Sequence, residues 1–235
     1  NRLGVRLVGP KPSWTRPNGG EAGLHPSNVH DCEYAIGAIN FTGDFPVILT
    51  RDGPSLGGFV CPVTIAKAEL WKVGQVKPGD RIRFFPISVE DAVAREKAMD
   101  RSVETLQTTS LAEFAVPSLA DRDGESAAGL VSLPATFSTP AIVYRQAGDN
   151  YILIEYGENV LDLALRLRVH VLMQHLRERA HPGIKELSPG VRSLQVRYDS
   201  REISQQALVA LLLEQEARIG DVTQMKVPSR IVHLP

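Results

Sequence analysis

The chain has 235 residues, of which 43% are apolar and 23% charged, and its formal net charge is −1. A disordered chain would carry fewer large apolar residues and more net charge, so this composition indicates a folded globular protein. The near-neutral charge gives no electrostatic footprint for nucleic acid, and no apolar stretch is long enough to span a bilayer, so we expect neither partner. Two cysteines, Cys32 and Cys61, are too few for a secreted disulfide scaffold and favour a cytoplasmic location.

Residues 1–88 predict a β-rich domain with long loops. Short apolar runs alternate with turns rich in Gly and Pro, as in short strands joined by functional loops. One short helix is expected at 64–72 because its residues are good helix formers. The predicted strands lie at 4–8, 34–41, 46–50, 58–61 and 81–85.

A helix and a linker are predicted between residues 89 and 140. Residues 89–107 contain strong helix formers and no Gly or Pro, and Ser88 is a suitable N-cap. Residues 108–140 lose all apolar periodicity and are rich in Thr, Ser, Ala, Gly and Pro. We therefore expect a flexible linker, with residues 108–134 as its most mobile part.

Residues 141–235 predict a second domain with a different pattern. Two amphipathic helices are expected, one capped by Asn159 and one over 204–218. The order β-(β)-α-β-β-α-β would place both helices on one face of an antiparallel sheet, as in ferredoxin-like folds. The chain begins at Asn1 without a methionine, and we expect both of its ends to be truncations. The predicted strands of this domain lie at 141–146, 151–156, 183–187, 192–198 and 230–234.

Polar and turn-forming residues are densest between residues 19 and 31. Glycines there could let a ligand approach the backbone, and the neighbouring side chains supply hydrogen-bond donors and acceptors. Such loops are turns as often as they are sites, and an Asp beside a Gly suits a turn equally well. The candidate site residues of this loop and of two later loops are His25, Ser27, Asn28, Asp44, Asp52 and Ser55, while His30 and Asp31 are assigned to capping of the local backbone.

Long motifs occur here in a fixed order. They are Arg6-Leu-Val-Gly-Pro, Gly-Gly-Glu-Ala-Gly-Leu-His-Pro-Ser-Asn28, Phe-Thr-Gly-Asp44 and Asp52-Gly-Pro-Ser-Leu-Gly-Gly-Phe-Val-Cys-Pro62. This run resembles the later part of the KipA, or "allophanate hydrolase subunit 2", family as found in urea carboxylases and urea amidolyases. The segment from Gly183-Ile-Lys-Glu-Leu-Ser-Pro-Gly to Tyr198-Asp199 resembles the amino-terminal region of the KipI, or "subunit 1", family. Neither resemblance covers the predicted linker at residues 108–140.

The order of the two pieces implies a fused carboxyltransferase region. Its expected class is α+β: a cyclophilin-like half domain over 1–88, a helix and linker over 89–140, and a truncated ferredoxin-like KipI piece over 141–235. The resemblance implies transfer of a carboxyl group from carboxybiotin to urea, which gives allophanate. It also implies partners outside this chain: a biotin carboxylase that uses ATP and magnesium, a biotin carrier and an allophanate hydrolase. Consistently, Ala98-Met99 is followed by Asp100 and not by the lysine of a biotin-attachment motif.

Under this resemblance His25 and Asn28 are the predicted catalytic residues. Asn28 can both donate and accept hydrogen bonds, which suits a planar amide, and His25 could donate to a developing oxyanion. No metal site is expected. Two alternatives remain, a component of an ATP-dependent 5-oxoprolinase and a Kip-type regulatory binding protein, and urea is not distinguished from guanidine or another amide. The predicted substrate-binding residues are Ser27, Asp44, Asp52 and Ser55.

Overall fold

The computed structural model describes residues 3–107 and 129–226. Most of the segment that we expect to be mobile, at 108–134, lies outside these ranges, and so does the predicted last strand at 230–234. The described ranges contain both strands and helices, which confirms the α+β class. No helix within them is long and apolar enough to cross a membrane.

Six short strands build the first half of the chain. Strands β1, β4, β3 and β6 form one antiparallel sheet in that order, and β2 pairs with β5 in a second ladder. Ile39 and Ile48 face each other across the β3–β4 hairpin and pack with Val5 and Val73 in a buried cluster. The hairpin turns at Gly43, whose φ of 63° favours a residue without a side chain. The strands are β1 (Gly4–Arg6), β2 (Asn28–Glu33), β3 (Ala38–Thr42), β4 (Phe45–Leu49), β5 (Leu56–Phe59) and β6 (Val63–Thr64).

Several predicted elements of this half differ from the structure. The strand predicted at 34–41 begins only at Ala38, because Gly37 has a φ of 87° and interrupts the extended run. The helix predicted at 64–72 is reduced to a 3-10 turn at Lys67–Glu69 followed by the short helix α1 (Leu70–Val73). The prediction of a strand at 81–85 is wrong, because this segment pairs with no described strand. Conversely, β2 occupies part of a segment that the sequence predicts to be loop.

Helix α2 (Val89–Thr105) confirms the helix predicted at 89–107. Ser88 caps it, since its Oγ accepts a hydrogen bond from Asp91 N at 3.0 Å. The buried Glu96 of this helix forms an ion pair with Lys67. Arg201 of the second half donates to Asp100 of the helix at 2.7 Å, so α2 contacts both halves.

The second half is a five-stranded antiparallel sheet in the order β10-β11-β9-β8-β7. One strand, β7, lies within the predicted linker. The order β10-β11-β9 with two intervening helices matches the predicted βαββα connectivity, whereas β8 and β7 extend the sheet beyond β9. The elements are β7 (Gly129–Leu133), β8 (Ile142–Gln146), β9 (Tyr151–Tyr156), α3 (Leu163–Arg179), β10 (Ile184–Pro189), β11 (Ser193–Tyr198) and α4 (Gln205–Ala217).

Alternation along the strands gives this sheet two buried faces. Ile152 and Ile154 of β9 and Val196 of β11 pack with residues of both helices in the largest apolar cluster, as predicted for a sheet covered by two helices. Tyr151, one residue out of phase, packs instead against Tyr34 and other apolar residues of the first half. The sheet therefore lies between its own helices and the first half of the chain.

Helix α3 begins three residues later than predicted. Its N-cap is Asp162, whose carboxylate accepts a hydrogen bond from Ala164 N at 2.7 Å. Asn159 does not cap the helix, because its side chain bonds to the first half instead. The helix α4 confirms its prediction, and the Ser204 side chain caps it through Ala207 N.

Polar contacts join the two halves along β2. The Ser193 hydroxyl donates to Glu33 Oε2 at 2.7 Å, and Val191 N donates to the carbonyl of Asp31 at 3.2 Å. At the other end of the interface both carboxylate oxygens of Asp149 accept from Lys67 N at 3.1 Å. The contacts of Glu33 and Asp31 with the second half add to the ladder that β2 forms with β5, so this strand is held in place without an apolar alternation.

Candidate active site

Three predicted site residues meet where the chain enters β2. Ser27 Oγ lies 2.8 Å from His25 Nδ1, and Ser27 N donates to the same nitrogen at 3.1 Å. A nitrogen that accepts from an amide N–H carries no proton, so the proton of the neutral His25 ring lies on Nε2. Ser27 is fully buried. Ser27 therefore fixes the orientation of the His25 ring, and none of its surface is exposed to a substrate.

Asp44 reaches this loop from the β3–β4 hairpin. Its Oδ1 accepts a hydrogen bond from Trp14 Nε1 at 3.0 Å and lies 3.5 Å from His25 Nε2, and its Oδ2 lies 3.1 Å from Lys11 Nζ. The hydrogen bond from Trp14, followed by the one from Lys11, lowers the pKa of Asp44 below its usual value. Asp44 is thus a charged acceptor that faces the protonated nitrogen of His25.

Trp14 belongs to the cluster, although its sequence context does not indicate a site. Its ring meets the His25 ring edge to face, with centroids 5.6 Å apart, and the Phe41 ring in the same way at 5.9 Å. Its indole N–H also binds Asp44. No local pattern marks Trp14, because its partners lie far along the chain and meet it only in the folded protein.

The glycines of this loop make room for Asn28. A side chain at Gly19 would approach Asn28 Cβ to 2.7 Å, and one at Gly23, where φ is 146°, would approach Asn28 Oδ1 to 2.9 Å. Asn28 Oδ1 accepts from His25 N at 3.0 Å, and Arg16 donates to the Asn28 carbonyl at 2.6 Å. Asn28 Nδ2 makes no hydrogen bond to a described residue, so the amide keeps both donor positions available.

The second half of the chain holds this loop through one side chain. Asn159 Oδ1 accepts from His30 N at 3.2 Å, and Asn159 Nδ2 donates to the carbonyl of Gly19 at 3.3 Å. Beside it, Leu161 N donates to Glu21 Oε2 at 3.4 Å. The loop of His25 and Asn28 is therefore positioned by both halves, and Asn159 has this role in place of the helix cap that its sequence context predicts.

His30 and Asp31 do not cap the local backbone with their side chains. The His30 side chain is 10% exposed, its Nε2 is buried without a hydrogen-bond partner among the described residues, and Glu21 Oε2 lies 3.9 Å away. Asp31 is exposed, and its carbonyl accepts from Val191 N of the second half. Both assignments are corrected: this part of β2 forms the interface between the halves.

Asp52 and Ser55 lie in the exposed turn between β4 and β5. The contacts that join His25, Asn28 and Asp44 do not involve them, and their role in substrate binding stays a prediction. Within residues 3–107 and 129–226 no group of three or more His, Cys, Asp or Glu side chains could hold a metal ion. His25, Asn28 and Asp44 supply hydrogen-bond donors, hydrogen-bond acceptors and one charged carboxylate.

Comparison with protein families gives two matches along the chain. A model described as "Carboxyltransferase domain, subdomain A and B" matches residues 1–86, and one described as "Carboxyltransferase domain, subdomain C and D" matches residues 142–235. The cluster of His25, Asn28 and Asp44 lies in the first segment and Asn159 in the second.

Three similar proteins cover the whole chain or nearly all of it. The urea amidolyase of Lachancea kluyveri is 49% identical over 240 residues, and that of Saccharomyces cerevisiae is 44% identical over 244 residues; each match covers 100% of this chain. The crystal structure of the Kluyveromyces lactis urea carboxylase superposes with a TM-score of 0.86 at 48% identity and covers 93% of this chain. The chain spans only 13% of the length of the two amidolyases and 19% of the carboxylase structure.

Proposed function

Because this chain belongs to the carboxyltransferase family, with subdomains A and B before C and D, we propose that it carries out carboxyl transfer to urea within a longer biotin-dependent urea carboxylase. The relatives named above supply the substrate class. One observation carries the proposal at the level of residues. The Asn28 amide keeps both donor positions available beside the charged Asp44 and the His25 ring, in a loop that both halves hold in place.

Urea presents one carbonyl and two NH₂ groups, so its site needs at least one donor and several acceptors. Asn28 Nδ2 donates to the urea carbonyl, while Asn28 Oδ1 remains bound to His25 N. Asp44 accepts from a urea NH₂, since each carboxylate oxygen has two lone pairs and retains capacity beyond Trp14 and Lys11. Fixed donors and acceptors of this kind orient the attacking nitrogen before reaction and lower the entropic part of the barrier.

His25 contributes a donor on the exposed side of the loop. Its side chain is 37% exposed, and the proton on Nε2 points toward Asp44. Ser27 holds the ring through Nδ1 in the tautomer that keeps this proton on Nε2. We propose that the Nε2–H stabilises negative charge that develops on the substrate or on the carboxyl group during transfer.

Biotin is the cofactor that the family implies, and when bound on a carrier outside this chain it supplies the activated carboxyl group. The donors of the site fit a carboxylated ureido group. Lys11, whose side chain is 80% exposed, adds a positive charge beside Asp44, and Asn28 and His25 add neutral donors. These residues bind and orient urea and the carboxylated ureido group, and none of them has to form a covalent bond.

We also propose the organisation of the longer protein. Residues 1–88 would be the end of one carboxyltransferase unit, 89–140 a connection, and 141–235 the beginning of the next unit. A biotin carboxylase that uses ATP and magnesium, a biotin carrier and an allophanate hydrolase would lie outside this chain, which spans 13% of the amidolyases. The free Cys32 and Cys61 favour a reducing compartment such as the cytoplasm.

The test is Asn28→Ala in the full-length protein. Loss of one oriented polar contact should reduce urea-dependent turnover by roughly 10²–10³, equivalent to about 2.7–4 kcal/mol. Biotin-dependent ATP cleavage without urea should stay unchanged, because it does not use this loop. Gln206→Ala, which removes an exposed side-chain amide on α4, is the matched control and should leave both rates unchanged. Urea-dependent turnover of the Asn28 variant within about twofold of wild type would remove Asn28 from the site.

A further inference from the structure

Arg16 holds the loop of the candidate site through two backbone carbonyls. Its Nε donates to the carbonyl of Pro26 at 2.7 Å, and its Nη2 donates to the carbonyl of Asn28 at 2.6 Å. The carbonyl between them, that of Ser27, accepts from Val60 N instead. The first and third carbonyls of this short segment therefore bind Arg16, and its guanidinium is fixed in position beside Asn28.

These two hydrogen bonds use only one edge of the guanidinium. The group is a planar fork of N–H donors, and the edge between Nη1 and Nη2 can bind a carboxylate through two parallel hydrogen bonds. Arg16 Nη1 makes no hydrogen bond to a described residue, and the side chain is half-buried. Because Nη2 belongs to both edges, the unused edge begins at the atom that lies 2.6 Å from the Asn28 carbonyl.

Arg192 shows what distinguishes Arg16 from another arginine that binds the backbone. Arg192 Nη1 donates to the carbonyls of Tyr156 and Gly157 at 3.3 Å and 3.2 Å. Arg192 Nη2 also forms an ion pair with Glu155 at 2.8 Å, so its charge is offset. Arg16 likewise holds two carbonyls, but it forms no ion pair with any residue of 3–107 or 129–226. A guanidinium that is held in place and not offset by a carboxylate is suited to bind an anion.

The carboxylates near this loop are engaged by other donors. Asp44 Oδ2 lies 3.1 Å from Lys11 Nζ, so these two charges offset each other. The Glu21 carboxylate accepts from Leu161 N at 3.4 Å. Arg16 is therefore a charged donor of the loop that no described side chain neutralises.

We propose that Arg16 binds the carboxylate that is transferred to urea, through its Nη1–Nη2 edge, while Asn28 binds the urea carbonyl. The inference rests on the proposed function and adds a residue to it. In that reaction the bond between the carboxyl carbon and the ureido nitrogen of biotin breaks, and a bond from the same carbon to a urea nitrogen forms. A proton of that urea nitrogen passes to the ureido nitrogen. The product, allophanate, retains the carboxylate, so the same edge can bind it before and after the transfer.

The test compares a charged and a neutral ligand of the same shape. Malonamate has a CH₂ group where allophanate has NH, and it keeps the amide and the carboxylate. In malonamide a neutral amide replaces that carboxylate. Amide hydrogen exchange of the full-length protein, measured in the peptide that covers residues 16–33 and titrated with each compound, gives both dissociation constants at this site.

Arg16→Gln should raise the ratio of the malonamate Kd to the malonamide Kd at least about tenfold, because the variant loses the charge and the paired donors. The ratio reports on the carboxylate, since a loosened loop would weaken the binding of both compounds alike. Arg177→Gln removes the same charge from an exposed position on α3 and should leave the ratio unchanged.

The outcomes separate the role of Arg16 from the proposed function. An unchanged ratio in Arg16→Gln, with both compounds bound by the wild type, would overturn the role of Arg16 alone and leave it as a support of the loop. If neither compound slows exchange in the wild type, the proposed function is overturned together with this inference. Where the glutamine variant does not fold, Arg16→Lys decides: it keeps the charge but loses the two parallel donors, and the ratio should rise at least about threefold. An unchanged ratio in the lysine variant would then overturn the proposal.

Discussion

Replacing Asn159 tests whether the second half of the chain holds the loop of the candidate site. Asn159→Ala removes both the acceptor for His30 N and the donor for the carbonyl of Gly19, which lie at 3.2 Å and 3.3 Å. The buried Gly19 carbonyl would keep only the hydrogen bond from Ala22 N at 3.3 Å, and the half-buried His30 N would lose its acceptor. A buried backbone group without a partner costs about 1–3 kcal/mol.

That cost falls on the conformation that brings His25 and Asn28 together. If the loop then populates other conformations, a penalty of about 1–3 kcal/mol lowers the competent fraction by roughly 5- to 150-fold. The assay is kcat/KM for urea in the full-length protein, together with biotin-dependent ATP cleavage without urea. We expect the first rate to fall within this range and the second to stay at the wild-type value.

Asn159→Asp makes the test sharper. The aspartate keeps an acceptor for His30 N but replaces the donor to Gly19 by an oxygen, so two acceptors face each other. We expect a loss of kcat/KM at least as large as with alanine. The reasoning would be refuted if both variants kept kcat/KM within about twofold of wild type. It would also be refuted if ATP cleavage fell in parallel, because that would indicate general unfolding and not a local change.

Three further predictions concern stability and geometry. Burial raises the pKa of Glu33 above its value in the unfolded chain, so this carboxyl stabilises the fold below its unfolded pKa and that contribution is lost as pH rises through the folded pKa. Glu33→Gln should therefore flatten the dependence of the unfolding free energy on pH, measured by urea denaturation from about pH 4 to 8, and an unchanged slope would contradict this. Gly23→Ala places a Cβ atom 2.9 Å from Asn28 Oδ1 at a φ of 146°. It should reduce urea-dependent turnover in the full-length protein at least as much as Asn28→Ala does. Gly9→Ala is the control and should leave turnover unchanged, because its Cβ atom meets nothing within 4 Å. Asp162→Ala removes the N-cap of α3 and should lower the unfolding free energy by about 1 kcal/mol, with unaltered stability counting against the cap.

The elements that the sequence predicts well are those with local causes. Ser88 and Ser204 each cap a helix through a backbone N–H three residues ahead, and the strand at β11 alternates between its two faces along a few consecutive residues. The order of the loop motifs likewise lies within the chain itself, and it is sufficient to indicate the carboxyltransferase family. The caps and the strand alternation are each complete within a short window, because helix caps and strand faces depend on near neighbours in the sequence.

What only the tertiary structure decides has its partners far along the chain. Trp14 binds Asp44 across 30 positions, and Asn159 binds Gly19 across 140. Asn159 has a suitable residue type for a helix cap, so its sequence context points to the wrong role. β2 has no apolar alternation, and it forms a strand by pairing with β5, whose Phe59 lies opposite Asn28. The segment at 81–85 shows the converse: its residues favour a strand, but none of them makes a backbone hydrogen bond to a described residue.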